Sequence, residues 1–181
     1  MEFLTFITQF AKHPGMVGSI VPSSKYLTRR MLAPVNWQEV RVVIELGCGT
    51  GAITREIIKR LHKEPTRITL FERNSNFRSL LKKRYPDLPI YEDAQALNTV
   101  LKSQNKKADV IISSLPFSNF PDVQQDFILQ EVHKALDDEG IFITYQYSLQ
   151  MRQKLEQCFS KMSVQLEWIN IPPAWIYTCT K

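Results

Sequence analysis

Apolar and polar positions along this chain alternate between short hydrophobic runs and segments of helical period. Val42-Val43-Ile44-Glu45-Leu46 is β-branched and aliphatic with one acid near its end, the composition of a strand covered on both faces in a parallel sheet. Residues 52–61 then carry apolar side chains at helical spacing with a charged outer side, which predicts an amphipathic helix. The alternation continues with a strand over 67–72, a helix over 75–85, a short strand over 89–91, a helix over 94–101 and a strand over 108–113. A helix over 123–136, stopped by Asp137-Asp138-Glu139-Gly140, leads to a strand over 141–145. A helix over 149–159 precedes two last strands, 164–168 and 175–179, joined by a short loop with Pro172 and Pro173. Strands linked by crossover helices give an α/β fold with a doubly wound parallel sheet, and the short final connection makes the last two strands a hairpin. There are no repeats, low-complexity tracts or Gly/Ser linkers to divide the chain.

Between the first strand and its helix lies Gly47-Cys48-Gly49-Thr50-Gly51. Glycines on alternate positions permit torsions and close approaches that a Cβ forbids, so a ligand can lie against bare main chain at a helix N-terminus. The dinucleotide fingerprint needs two residues between its second and third glycines; strict alternation after the acid Glu45 favours a methyltransferase binding S-adenosylmethionine, whose methionine end such amides would face. Glu72 closes the second strand as a carboxylate able to take both ribose hydroxyls, a role it would also fill for NAD, and Arg73 follows it. Cys48 reads as a small filler, because no adjacent histidine activates it as a nucleophile.

Ligands in doubly wound sheets sit beyond the strand carboxyl ends, at the point where strand order reverses. That rule gathers the glycine loop, Glu72, Asp93-Ala94 and Ser113-Ser114-Leu115-Pro116-Phe117 around one crevice. Two roles fit Asp93: accepting the adenine amino proton beside the Ala94 amide, or capping the helix that follows. Pro116 biases Leu115 away from helix, so the Ser113 and Ser114 carbonyls can point at a substrate nitrogen. Enzymes that methylate base amines have Asn or Asp, Pro or Leu, Pro and an aromatic ring here. Leu115-Pro116-Phe117 matches the later part, and Ser114 does not match.

Taken together, Val17-Gly18-Ser19-Ile20-Val21-Pro22-Ser23-Ser24 with Leu27, the Glu45-to-Gly51 loop, Ser113 to Phe117 with Asn119-Phe120-Pro121, and Asn170-Ile171-Pro172-Pro173-Ala174 resemble the bacterial phospholipid N-methyltransferase family. The resemblance extends over nearly the whole chain. It implies a Rossmann-like class I methyltransferase sheet of seven strands with an antiparallel last strand. N-terminal helices within 1–35 would cover the cofactor cleft of a core over 40–181, all in one domain of residues 1–181. It also implies transfer of methyl groups from S-adenosylmethionine to the amine of phosphatidylethanolamine at the inner leaflet, leaving S-adenosylhomocysteine. Ser23 and Ser24, which start the next helix as N-caps on a plain reading, would lie near the cofactor's carboxylate. Tyr26, Asn119 and Tyr177, neighbours of these segments, are candidates with Ser114 to hold the acceptor amine. The family usually has Gly where Ser114 stands and an aliphatic residue where Phe117 stands, which points to a differently shaped acceptor pocket.

With 181 residues and 44% hydrophobic content, the chain can bury one sizeable core. The net charge of +5 suits an anionic partner, nucleic acid or an acidic lipid surface. Phe3, Phe6, Ile7 and Phe10 fall at helical spacing, with Lys12, His13, Lys25, Arg29 and Arg30 nearby. Such a stripe packs most often onto its own core, and beside basic residues it also suits a membrane interface. No apolar run approaches the ~20 residues that cross a bilayer, and no leader pattern opens the chain. A cytoplasmic monomer, peripheral at the membrane, is the expectation. Three scattered cysteines and three histidines without ligand spacing point away from disulfides and metals. Two further functions stand beside lipid methylation. One is methylation of ribosomal RNA adenine, against which the chain ends soon after the sheet, without a separate RNA-gripping domain. The other is a non-catalytic nucleoside-binding module.

Overall fold

Once an apolar run is buried its backbone amides lose water, so it must pair with another run. In the computed structural model, which describes residues 24–61, 66–103 and 106–181, seven strands do so in one sheet of order β3-β2-β1-β4-β5-β7-β6. These are β1 (Val42–Leu46), β2 (Arg67–Phe71), β3 (Ile90–Tyr91), β4 (Ala108–Ser113), β5 (Leu136–Gln146), β6 (Lys161–Glu167) and β7 (Ala174–Thr180). The first five are parallel, and β7 runs antiparallel between β5 and β6. This is the class I methyltransferase sheet with its reversed last strand. The aromatic stripe of Phe3 to Phe10 and the segment through Ser23 lie outside the described residues.

Alternate side chains of the sheet feed two apolar layers. On one face Ile44, Leu46, Ile111 and Phe142 pack against α4 (Leu97–Ser103), α5 (Asp122–Ala135) and α6 (Arg152–Cys158). On the other, Val43, Ile112, Ile143 and Ile176 meet α1 (Lys25–Leu32), α2 (Ala52–Arg60) and α3 (Ser75–Arg84). An eight-residue helix such as α1 is marginal by itself. It persists because Leu27, Met31 and Leu32 are fully buried, each contributing about 2 kcal/mol of burial. Ser24 caps it, accepting from the Leu27 amide at 3.1 Å.

The expected stop at Asp137 to Gly140 is absorbed into β5, which begins at Leu136. Its register against β4 shifts there, and Glu139 takes a φ of 63°. Gly140 has no room for a side chain, since a Cβ would sit 2.8 Å from the Asp137 carbonyl oxygen. The helix expected over 94–101 splits into a 3-10 turn, Ala94–Ala96, capped by Asp93 through the Gln95 amide, and α4. Both last strands run longer than their apolar residues indicated, because edge strand β6 alternates exposed Lys161, Ser163 and Gln165 with half-buried Met162, Val164 and Leu166.

Candidate active site

The parallel strands end on one edge, and there the loops after β1 to β4, with Tyr145 of β5, enclose a cavity of about 660 Å³. Its size is that of a small-molecule site. The glycine loop forms its floor. Gly47 has a φ of 77°, and a Cβ on it would press the Leu115 side chain at 3.2 Å, so the β1 and β4 loops close together only over a glycine. Gly51 also has positive φ, 81°, but turns away from the cavity: a Cβ there would collide with Leu81 Cδ2 of α3 at 2.9 Å. It serves helix packing and does not line the cavity, contrary to its expected role as a cofactor contact.

The loop amides also differ from expectation. Gly47 N–H and Cys48 N–H donate to the Phe71 carbonyl, Gly51 N–H to the Cys48 carbonyl, and Gly49 N–H to Glu72 Oε2 at 2.7 Å. They fasten the loop to β2 and to itself. Glu72 Oε1 accepts from Asn74 N–H at 2.8 Å, so the carboxylate is held by both ends and each oxygen keeps a lone pair for a ligand.

Glu45 lies beneath the loop, fully buried, and does not line the cavity. Thr54 Oγ1 donates to its Oε2 at 2.6 Å, which ties β1 to the first turn of α2. Among the described residues its Oε1 has no hydrogen-bond partner. Desolvation pushes the carboxyl up from 4.5 to about 8, with Thr54 opposing the rise and Glu72 adding to it. The Cys48 thiol, buried on the loop and bonded to the Glu45 and Phe71 carbonyls at 3.5 Å, is also driven upward by burial. That keeps it a neutral filler.

The end of the cavity beneath β2 and β3 is acidic, with Glu72, Glu92 and Asp93 against Arg73. Asp93 both caps its 3-10 turn and lines the wall, with Ala94 beside it. Glu92 is paired with Arg78 at 3.0 Å, which leaves Glu72 and Asp93 as the acceptors on this wall. The opposite end is walled by Ser114, Leu115, Asn119, Phe120 and Tyr145. Among the described residues no group of His, Cys, Asp or Glu could hold a metal.

Several expected contacts are not brought to the cavity. Ser113 is fully buried and its Oγ accepts from Leu115 N–H at 3.2 Å, so it shapes the turn. Phe117 is also fully buried in the core; Phe120, edge-on to it at 6.1 Å, reaches the cavity instead. Tyr177 is buried, pushed up to about 12 by desolvation, with its hydroxyl donating to the Ser148 carbonyl at 3.2 Å. Tyr26 projects from the outer side of α1, because Leu27, Thr28, Met31 and Leu32 hold the inner side. Ser24 is spent on capping α1, and Ser23 lies outside the described residues. Conversely Tyr145, Gln124 and Ile128 line the cavity without having been anticipated. Only the position of Tyr145 near the end of β5 was a usable signal, since ligands gather at strand carboxyl ends.

Residues 44–142 match the methyltransferase domain family. The ornithine lipid N-methyltransferase of Singulisphaera acidiphila is 31% identical over 98% of this chain and 95% of its own length. The ribosomal RNA small subunit methyltransferase A of Chlorobium chlorochromatii is 25% identical over 62% of this chain but only 41% of its own. Among solved structures, a precorrin-6y C5,15-methyltransferase from Geobacter metallireducens superposes with a TM-score of 0.67 at 15% identity, covering 90% of this chain and 91% of that one.

Proposed function

The chain belongs to the methyltransferase domain family, and from that membership we propose that it methylates the amine of a lipid head group, using S-adenosylmethionine. The observation that carries this reading is the similarity along nearly the full length of both chains to a lipid N-methyltransferase. Phosphatidylethanolamine and ornithine lipid are the two acceptors to test first, with the whole of residues 1–181 working as one domain at a membrane surface.

The residues fit the donor. Glu72 keeps lone pairs for ribose hydroxyls, and Asp93 faces the same wall as an acceptor for an adenine amine. When bound, S-adenosylmethionine supplies an electrophilic methyl group. The protein's part is then positional. Ser114, Asn119 and Tyr145 wall the end where an amine would enter, and aligning a lone pair there at near-attack distance, roughly 3 to 3.5 Å, is the main catalytic contribution. Phe120 and Leu115 beside them exclude water, which disfavours the protonated amine and exposes its lone pair.

The partial match to a ribosomal RNA methyltransferase favours a second reading, methylation of RNA adenine. Incubation with labelled S-adenosylmethionine and, in separate reactions, detergent-dispersed phosphatidylethanolamine, ornithine lipid or ribosomal RNA decides between them. Label in the lipid extract is expected. Label in RNA alone would refute lipid methylation.

A further inference from the structure

A loop that must turn a hairpin in water is normally polar, yet the one between β6 and β7 contains Trp168, Ile169 and Ile171. They are 72%, 61% and 56% exposed. The backbone beneath them is fastened. Asn170 is buried, donating from Nδ2 to the Pro172 carbonyl at 2.7 Å and accepting from Ser24 N–H at 3.4 Å. Glu167 Oε1 accepts from Ile169 N–H at 2.9 Å, while its Oε2 pairs with Arg30 at 3.4 Å. The apolar side chains are thus held outward on a polar anchor.

The tip extends across neighbouring elements. Tyr26, 56% exposed, sits on α1, whose capping residue is bonded to Asn170. Tyr147, in the loop after β5, interacts with Asn170, and Leu149 follows, also exposed. Lys25 and Arg29 are exposed on the same helix. Because β6 runs parallel to β5, this tip lies on the carboxyl edge of the sheet, the edge on which the cavity opens. Aromatic and aliphatic side chains flanked on α1 by a lysine and an arginine match the boundary between acyl chains and anionic head groups.

We propose that the β6–β7 tip, with Tyr26 of α1, is a docking surface that enters the interface of an anionic bilayer and sets the cavity mouth against the lipid head groups. This rests on the lipid-amine reading, which requires an acceptor anchored by its chains to reach a cavity at the sheet edge. A free lipid cannot leave the bilayer cheaply, so the enzyme must come to it.

The test uses the full chain with vesicles of equal phosphatidylcholine and phosphatidylglycerol, some carrying brominated acyl chains. The Trp168 emission is isolated as the difference between wild type and Trp168→Phe. In buffer it should lie at the long wavelength of a solvated indole, then shift to the blue and be quenched by bromine on binding. A Trp168→Ser/Ile169→Ser/Ile171→Ser variant should bind vesicles at least about 100-fold more weakly, and Lys25→Glu/Arg29→Glu should lower the affinity and its salt dependence. Methyl transfer to detergent-dispersed lipid should persist in both. An indole already shielded in buffer, whether by the chain's own segment or by a second copy, would overturn the proposal. So would undiminished vesicle binding by the triple variant, or quenching by RNA in place of vesicles. Transfer to dispersed lipid without vesicle docking would sink the surface and keep the substrate reading; docking without transfer to any lipid amine would do the reverse.

Discussion

Replacing Glu45 by Gln isolates a carboxyl whose ionisation the fold opposes. Its folded carboxyl titrates at about 8 and its ordinary value is 4.5, so between those limits the folded chain binds a proton that the unfolded chain has lost. Stability therefore falls as pH rises through this window and is flat below and above it. The full gap, at about 1.4 kcal/mol per pH unit, amounts to about 5 kcal/mol by pH 8 and about 3 kcal/mol at pH 7. The side chain is completely buried, so solvent screening does not reduce the effect. Glu45→Gln keeps the acceptor for Thr54 and removes the titration. Its amide would place an N–H where Oε1 now lacks a partner, a penalty of about 1–3 kcal/mol that does not vary with pH. Urea unfolding of both proteins at pH 5, 6.5 and 8.5 gives the difference curve, in which all other titrating groups cancel. Wild type should lose several kcal/mol relative to the variant from the lowest pH to the highest. Parallel curves would refute the assignment of the unpaired acid to Glu45.

Glu72→Gln, which weakens the acceptor for Gly49 N–H and, in the proposed function, the one for ribose hydroxyls, should raise the dissociation constant for S-adenosylmethionine at least about 10-fold by calorimetry. Tyr145→Phe keeps the ring in the cavity wall and removes a hydroxyl that also interacts with Tyr147; kcat should drop about 10-fold or more with cofactor affinity unchanged, the split expected of a residue on the acceptor side. Tyr177→Phe deletes the bond to the Ser148 carbonyl, costing about 1 kcal/mol in unfolding, while single-turnover rates remain those of wild type.

What could be read before folding was local. A β-branched run, a glycine loop and a strand-end acid are fixed by neighbours in sequence, and β1, Gly47, Gly49 and Glu72 lie where that pattern puts them. Asp93 was legible twice, as a cap and as a wall residue, because both follow from its place after β3. What failed depended on direction. In strands covered on both faces every residue is apolar or small, so alternation does not tell which side chain faces the core, and Tyr177 went inward while Tyr145 reached the cavity. Past Pro116 the chain takes a 3-10 turn, which rotates Phe117 into the core and presents Phe120. Gln124 and Ile128 come from α5, and their arrival at the wall depends on how that helix packs, which no local spacing encodes.

The glycine loop unites these observations. Its amides are spent on the Phe71 carbonyl and on Glu72, so the loop does not wait as a row of free donors for the ligand. Instead one carboxylate both fixes the loop and faces the cavity, and Glu45 locks the other side of the loop to α2. A ligand hydroxyl bonding Glu72 must share its oxygens with Gly49 and Asn74. It would draw electron density from those bonds and feel any slackness in them. In the proposed function the floor and the donor would thus depend on the same group, and a substitution at Glu72 should loosen the loop and lower donor affinity together, whereas one at Glu45 should act on the fold first.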